Sequence, residues 1–260
     1  MMRKLLLILV SYHTSENEVD LLLNCLSSLP SNIGYALAVN EYRKGQVVEK
    51  LFANSDYLSL NNDNLGYGKA VNNLLSKVYN KPEYIAILNT DLSWPKGTFE
   101  NMIHWMDDHS DISLMVPQIL SPLGQIQMLC KRNPTVLALI SRRFIPDKFK
   151  PSILKKYDSW YHYGDYDYNH IFEAPYLSGC CMFTRLSSFI DVGGFDERYF
   201  LYLEDADLSR SLSNLGKCIH YPYVSIVHKW GRGNYTNPYL VLVNIISAWH
   251  YFWKWGIQIW

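Results

Sequence analysis

Short apolar runs alternate with helical segments over the first 120 residues, and this alternation limits the fold more than any other feature. Leu5 to Val10 is a continuous apolar run, which is typical of a parallel strand covered on both faces, and Glu18 to Leu29 has apolar residues at helical spacing. The alternation predicts further strands and helices, namely strands at Tyr35 to Val39, Tyr57 to Leu60, Ile85 to Leu88 and Ser113 to Val116, and helices at Ala70 to Val78 and Thr98 to Asp107. Such an order predicts an α/β fold with a doubly wound, mostly parallel sheet flanked by helices.

Beyond residue 120 the pattern is less regular. The stretch from Tyr157 to Tyr176 is rich in Tyr, Trp, His and Asp and is predicted to be an elaborated loop region. The later elements are strands at Leu177 to Thr184 and Val224 to His228, a helix that starts near Glu204, and a C-terminal helix at Tyr239 to Trp255.

Composition excludes several classes of protein. Lys plus Arg and Asp plus Glu each number 24, so the broad positive field of a nucleic-acid-binding protein is missing and no nucleic-acid partner is expected.

The five cysteines are odd in number and form no CxxC pair, which predicts reduced, mostly buried thiols and a cytoplasmic location. The apolar start is followed at once by polar residues, so we expect a buried strand there and not a secretion signal. A dinucleotide GxGxxG motif, a P-loop and a GxSxG elbow are absent from the sequence.

Asn89 and Asp91 come directly after the predicted strand Ile85 to Leu88. Ligands of doubly wound sheets bind at the carboxyl ends of strands, and Mg²⁺ or Mn²⁺ held there by a carboxylate neutralises a departing diphosphate. A turn cap is an equally weighted alternative for Asp91. His228 ends a later strand, and the segment that follows it offers phosphate-binding groups at Lys229, Gly231, Arg232 and Gly233, although most isolated histidines are structural.

Carboxylates are dense where the helix near Glu204 begins. Asp205 shares a helix face with Leu208 and Leu212, so it is predicted to point inward to a cleft. An inward carboxylate at this position suits a general base that takes the proton of an attacking hydroxyl. The alternative is an acidic cluster that favours the helix dipole.

The stretch from Asn64 to Asn72 places Gly66 and Gly68 at the mouth of a predicted helix. Two glycines there allow a ligand to approach the backbone closely. A plain helix cap explains the same pair, and both interpretations stay open.

Six segments, taken in order, resemble family 2 glycosyltransferases, particularly the bacterial rhamnosyltransferases of polysaccharide assembly. They span roughly residues 5 to 230, and they are Val10 to His13, Asn64 to Asn72, Asn89 to Asp91, Leu177 to Gly179, Val192 to Glu197 and Tyr202 to Leu208. The resemblance implies a GT-A fold, an inverting mechanism, a nucleotide-sugar donor and a divalent cation, Mg²⁺ or Mn²⁺.

The resemblance also implies roles by position. Asp91, beside Asn89, would bind the metal and the diphosphate, Asp205 would be the base, and Glu204 would orient the base or the acceptor. His228 would complete the metal site. The nucleotide pocket would be lined by Ser11, Tyr12, Asn64, Lys69 and Asn72.

Asn40 departs from the pattern, because relatives carry an aspartate there that contacts the base. An amide still accepts from the imide N–H of uracil or thymine, so a UDP-linked or dTDP-linked donor is expected.

Two further segments carry open alternatives. Lys131 to Pro134 and Arg142-Arg143 match a basic segment of the rhamnosyltransferase-like group, which would contact the diphosphate of a lipid-linked acceptor or of the donor, or would be a solvated basic turn. The tail from Tyr239 to Trp260 is aromatic with interrupting polar residues, which suits either a membrane interface or a helix packed on the catalytic domain.

These features predict a catalytic domain at residues 1–236, with a nucleotide-binding half at 1–120 and an acceptor-side half at 121–236, followed by an aromatic helix at 237–260. The expected reaction transfers rhamnose from dTDP-rhamnose to a polyprenyl-diphosphate-linked saccharide in O-antigen or related polysaccharide synthesis, at the inner face of the cytoplasmic membrane. The alternatives are transfer of galactofuranose, glucose or N-acetylglucosamine, or a non-catalytic nucleotide-sugar-binding subunit of a polysaccharide-assembly complex.

Overall fold

A computed structural model describes residues 3–229 and 237–260 of the chain. The strands are β1 (Leu5–Ser11), β2 (Ile33–Val39), β3 (Tyr57–Leu60), β4 (Tyr84–Asn89), β5 (Leu92–Ser93), β6 (Ile112–Leu120), β7 (Phe172–Glu173), β8 (Cys181–Arg185) and β9 (Lys217–His228). The helices are α1 (Glu16–Ser27), α2 (Tyr67–Leu75), α3 (Thr98–Asp108), α4 (Val136–Phe144), α5 (Ser152–Tyr161), α6 (Leu186–Asp191), α7 (Glu204–Leu212) and α8 (Pro238–Trp255).

These strands form one mixed sheet in the order β3-β2-β1-β4-β8-β6-β9-β5, with β7 paired to β9. The pairs among β3, β2, β1 and β4 are parallel, as is β6 with β9, whereas β8 runs antiparallel to both of its neighbours. The predicted mostly parallel α/β sheet is therefore confirmed.

The continuous apolar run of β1 reflects burial on both faces. Leu5, Leu7 and Leu9 pack into one core cluster with α1 and α3, while the alternate residues, such as Leu6 and Ile8, pack into a second cluster with α2, α6 and α7. Because successive strand residues point to opposite faces, a strand between two helical layers needs apolar side chains at every position.

Several boundaries differ from the sequence prediction. The region 157–176 was expected to be a loop, but α5 occupies its start, and α4 precedes it. These helices are short, so their periodic signal is weak, and packing of α4 against α5 supplies what the pattern lacks. The strand expected from Leu177 begins only at Cys181, because the chain at Gly179 turns to contact Asp205.

Helix α8 packs on α7 through a buried carboxylate. Asp207 accepts hydrogen bonds from Trp255 Nε1 at 2.7 Å and from Lys254 Nζ at 2.8 Å, and Ser247 Oγ donates to the Leu201 carbonyl. The outward side of α8 exposes a stripe of large apolar side chains, namely Tyr239, Leu242, Ile245, Ile246, Trp249 and Trp253. Over residues 3–229 and 237–260, no helix has both the length and the apolar character needed to span a bilayer.

The five cysteines are all free and buried, which confirms the predicted thiols.

Candidate active site

The carboxyl ends of β1, β2 and β4 meet at one edge of the sheet. Val10 of β1 pairs with Ala38 of β2 on one side and with Asn89 of β4 on the other. The register therefore brings Ser11, Asn40 and Asn89 together, at the edge where doubly wound folds bind ligands.

Ser11 and Tyr12 occupy this edge in different ways. Ser11 is buried, and its Oγ lies 2.7 Å from Thr14 Oγ1. Tyr12 is exposed, with its ring edge-on to His13 at 4.2 Å between centroids. His13 in turn lies 3.3 Å from the Glu41 carboxylate, so the rim of the edge is aromatic and polar.

Asn40 is buried and its amide is engaged within the protein. Its Nδ2 donates to Asn64 Oδ1 at 3.1 Å and to the Gly66 carbonyl at 3.0 Å, and its Oδ1 accepts from Asn61 Nδ2 at 3.1 Å. The donors and the acceptor of this amide thus hold the 61–66 loop, and its contact with a pyrimidine base stays a prediction. An aspartate at position 40 has no N–H to donate and cannot make the first two bonds.

Asn72 and Lys69 of α2 face a segment of the chain itself, and their place in the nucleotide pocket stays a prediction. Asn72 Nδ2 donates to the Phe195 carbonyl at 2.8 Å, and the Phe195 N–H donates back to Asn72 Oδ1 at 3.1 Å. Lys69 is exposed, with its Nζ 3.7 Å from Glu197 Oε2. Both side chains therefore contact the Phe195–Glu197 turn.

Gly66 and Gly68 allow the 195–200 segment to pack closely against the start of α2. Gly66 has a φ of +81°, and a Cβ there would overlap the Phe200 carbonyl oxygen, while a Cβ at Gly68 would lie 2.7 Å from Phe195 Cβ. The close approach predicted for a ligand is made by the 195–200 segment of the chain. Asn64 completes this turn, since its Oδ1 accepts from the Gly66 N–H at 2.9 Å.

Asp91 and His228 lie side by side although they are far apart in sequence. The short strand β5 pairs antiparallel with the end of β9, which places His228 Nε2 3.2 Å from Asp91 Oδ2. Asp91 Oδ1 is buried without a hydrogen-bond partner in the part of the chain that the structure describes, and His228 Nδ1 lies 3.3 Å from Gln127 Oε1. An orphaned carboxylate oxygen beside an oriented imidazole fits a divalent cation whose other ligands are phosphate oxygens or waters.

Among residues 3–229 and 237–260, no third His, Cys, Asp or Glu joins this pair. The phosphate-binding groups predicted at Gly231, Arg232 and Gly233 lie outside the described residues, and Lys229 is exposed.

Glu204 and Asp205 start α7 after two left-handed residues, Tyr202 and Leu203, with φ of 69° and 64°. Asp205 Oδ2 accepts from the Gly179 N–H at 2.9 Å and Oδ1 accepts from the Ala206 N–H at 2.9 Å. Two backbone donors thus fix the orientation of this carboxylate at the cleft, as the inward helix face predicts.

Glu204 is more deeply buried than Asp205. Its Oε2 has no hydrogen-bond partner in the described part of the chain. Burial, with the nearby Asp205 carboxylate as the second cause, raises the pKa of Glu204 to about 8. The raised pKa favours the protonated form of Glu204, whose hydroxyl can donate a hydrogen bond.

A cleft of about 850 Å³ contains both carboxyl groups. Its lining also includes His228, Lys131, Arg142, Arg143, His162 and Tyr176. The predicted basic segment is divided by the fold, because Arg132 leaves the cleft and stacks on the Trp160 ring at 4.3 Å.

His162 and Tyr176 were not singled out in the sequence. Burial, followed by the charges of Arg142 and Lys131, lowers the pKa of His162 to about 3, so its imidazole is neutral. The only sequence signal for either residue was the density of aromatic and polar residues between 157 and 176, which does not tell which of them reach the cleft.

The sequence profile described as Glycosyl transferase family 2 matches residues 43–193. An N-acetylglucosaminyl-diphospho-decaprenol L-rhamnosyltransferase of Mycobacterium tuberculosis is 27% identical over 187 residues, which covers 67% of this chain and 59% of that protein. Rhamnosyltransferase WbbL of Escherichia coli K12 is 41% identical over 56 residues, or 21% of each chain. The chain thus spans less than two thirds of the length of either relative.

Solved structures share the fold at low sequence identity. A mannosyltransferase of Pyrobaculum calidifontis in complex with GDP-Man and Mn²⁺ has a TM-score of 0.57 and 13% identity, covering 90% of this chain and 59% of the other. GalNAc-T7 with UDP, GalNAc and Mn²⁺ has a TM-score of 0.62 and 11% identity, covering 88% and 44%. The fold is therefore the GT-A fold, as the resemblance implied.

Proposed function

The chain belongs to glycosyl transferase family 2, and from this membership we propose that it transfers a hexosyl group from a nucleotide-diphosphate donor to a saccharide hydroxyl, with inversion at the anomeric carbon. The observation that carries the proposal is that the Glu204-Asp205 carboxyl groups and His228 line one cleft, and that the His228 imidazole contacts Asp91. Such a transfer needs a base for the acceptor hydroxyl and a site that stabilises the departing diphosphate.

Asp205 is the proposed general base. The Gly179 and Ala206 N–H groups hold its carboxylate in one orientation, and each oxygen keeps a lone pair for the proton of the acceptor hydroxyl. As the proton moves to Asp205, the acceptor oxygen forms a bond to the anomeric carbon and the bond from that carbon to the diphosphate breaks. Glu204, in the protonated form that its raised pKa favours, is proposed to donate to an acceptor oxygen and position it.

Asp91 and His228 are the proposed metal ligands, and Mg²⁺ or Mn²⁺ bound there supplies the positive charge that stabilises the departing diphosphate. Two structural neighbours were solved with Mn²⁺ and a nucleotide or nucleotide sugar, which supports this assignment. Ser11, Tyr12 and Asn89 are proposed to contact the nucleotide, because they lie at the sheet edge beside Asp91.

We further propose dTDP-rhamnose as donor and a lipid-linked saccharide as acceptor. Both relatives are named rhamnosyltransferases, and the mycobacterial name describes a saccharide on diphospho-decaprenol. The exposed apolar stripe of α8 suits contact with the cytoplasmic face of a membrane, where a polyprenyl-linked acceptor lies. As part of the same proposal, residues 1–120 form the nucleotide-binding half, residues 121–236 form the acceptor-side half, and residues 237–260 form the aromatic C-terminal helix.

The test is product analysis by mass spectrometry, with dTDP-rhamnose and with UDP-linked galactofuranose, glucose and N-acetylglucosamine, each offered with lipid-linked saccharides and Mn²⁺. We expect a rhamnosyl product from the parent protein. Asp205→Asn should lower turnover by about 100- to 10,000-fold, the usual worth of a general base. Asp191→Asn, at an exposed position that ends α6, is the matched control and should leave turnover unchanged.

Near-normal transfer by Asp205→Asn would refute its role as the base. Transfer of a different sugar would replace the proposed donor. If the parent protein neither transfers nor hydrolyses any donor, the chain is a binding subunit and the catalytic proposal is wrong.

A further inference from the structure

Lys131 is a buried cation in the wall of the cleft. Its backbone N–H donates to the Tyr176 carbonyl at 2.9 Å, and the Tyr176 N–H donates back at 3.2 Å, so the two side chains are held next to each other. Its Nζ lies 4.2 Å from the centroid of the Tyr176 ring, and the residue is only 7% exposed. Lys131 forms no ion pair with a carboxylate in the described ranges 3–229 and 237–260.

A single ring does not balance this burial. A cation–π contact is worth about 2 kcal/mol when desolvated, whereas removing an ammonium from water costs several kcal/mol. Burial, with the Arg142 charge second, lowers the pKa of Lys131 to about 8, so its side chain remains mostly charged at neutral pH. A charged, unpaired group inside a cleft is stabilised when an anion occupies the cleft.

A second cation lies close to the first. Arg142 comes from the last turn of α4, lines the same cleft, and forms no ion pair with a carboxylate among the residues that the structure describes. The repulsion between Arg142 and Lys131 is part of the cause of the lowered pKa of Lys131. The Asp205 charge acts on Lys131 in the opposite sense, but Asp205 forms an ion pair with neither cation in the part of the chain that the structure describes. Two like charges on one wall therefore favour an anion that contacts both.

We propose that Lys131 and Arg142 bind the phosphate or diphosphate through which the acceptor saccharide is attached to its carrier. The inference rests on the proposed transferase function. The donor has its own diphosphate site at Asp91 and His228, while Lys131 and Arg142 belong to the segment between β6 and β8. Lys131 and Arg142, here called the cationic wall, line the same cleft as Glu204 and Asp205. An acceptor anchored there by its diphosphate would present a sugar hydroxyl to Asp205.

The first experiment measures binding of inorganic pyrophosphate by calorimetry in EDTA. Lys131→Met should weaken binding about 10- to 100-fold, the worth of a hydrogen bond to a charged group. Lys156→Met removes the same charge from an exposed position on α5 and should bind as the parent does. Asp91→Asn, at the proposed donor site, shows where the anion binds, because pyrophosphate held at the donor site would lose affinity in this variant and keep it in Lys131→Met.

Two results would overturn the proposal: equal affinity in the parent and Lys131→Met, or affinity lost in Asp91→Asn and kept in Lys131→Met. Lys131→Met removes a costly buried charge and should fold, which thermal melting checks. Arg142→Gln, at a half-buried position, gives an independent variant with the same expected loss.

The second experiment separates acceptor from donor by kinetics. With a diphosphate-linked acceptor, Lys131→Met should raise the acceptor KM about 10- to 100-fold. With a neutral alkyl glycoside of the same saccharide, and for the nucleotide-sugar donor, KM should stay unchanged. An increase confined to the donor KM would assign the cations to the donor diphosphate and overturn the proposal. The pyrophosphate titration needs no turnover, so it tests the cationic wall even if the transferase proposal fails.

Discussion

Asp207 belongs to the same dense carboxylate motif as Asp205, yet the structure gives it a different task. Its side chain is 3% exposed and accepts from Trp255 Nε1 and Lys254 Nζ, so it ties the end of α8 to α7. Tyr199 Oη, on a fully buried ring, lies 3.4 Å from the same carboxylate. We therefore expect Asp207→Ala to destabilise the protein and to loosen α8 without touching the proposed base.

The size of the effect follows from these contacts. A hydrogen bond to a charged group contributes about 1.5–3 kcal/mol. Lys254 is 30% exposed, and in the variant it still has Asp196 as an ion-pair partner at 3.5 Å, so the loss of its bond to Asp207 contributes at the low end of this range. The Trp255 N–H, in contrast, loses its acceptor. We expect a loss of about 2–4 kcal/mol in the free energy of unfolding. Asp207→Asn keeps an acceptor for Trp255 and should lose about half as much.

Equilibrium unfolding in urea measures this loss, and limited proteolysis tests whether α8 becomes accessible. Asp191→Ala, an exposed acidic residue on α6, is the control and should change stability by no more than about 0.5 kcal/mol. If Asp207→Ala unfolds at the urea concentration of the control, the anchoring role of Asp207 is wrong.

Three further predictions follow from the site. Because the pKa of Glu204 is raised from 4.5 to about 8, the fold holds a proton that the unfolded chain has lost, so stability falls as pH rises through this interval. Glu204→Gln should lack this slope in urea unfolding, and an unchanged slope would assign it to another group. Gly66→Ala should cost more than about 1 kcal/mol, because its Cβ meets the Phe200 carbonyl at a positive φ, whereas Gly45→Ala, at φ +91° in open space, should cost less. Asp91→Ala should weaken Mn²⁺-dependent binding of dTDP or UDP in calorimetry, and unaltered affinity would remove it from the metal site.

Local sequence patterns are enough to predict the layered fold and the positions of the proposed base and metal ligand. Strands buried on both faces must be apolar at every position, so β1 and β4 were visible as runs, and the residues after β4 had to emerge at the carboxyl edge. The start of α7 at Glu204 was likewise predicted, since its apolar spacing gave the helix face on which Asp205 lies. These features depend on neighbours within one element or on the general geometry of the fold.

Contacts between segments that are distant in sequence set which polar residues bond within the protein. Asn72 contacts a backbone segment 123 residues away, and Lys131 meets Tyr176 across a bridge between loops. Asn40, which the sequence predicts to contact the base, holds the 61–66 loop. Periodicity reports the face of an element on which a side chain lies, but not the distant segment that fills the space in front of it. That choice depends on long-range packing, which gives Asn40 and Asn72 bonding partners within the protein and buries Lys131 in the wall of a cleft.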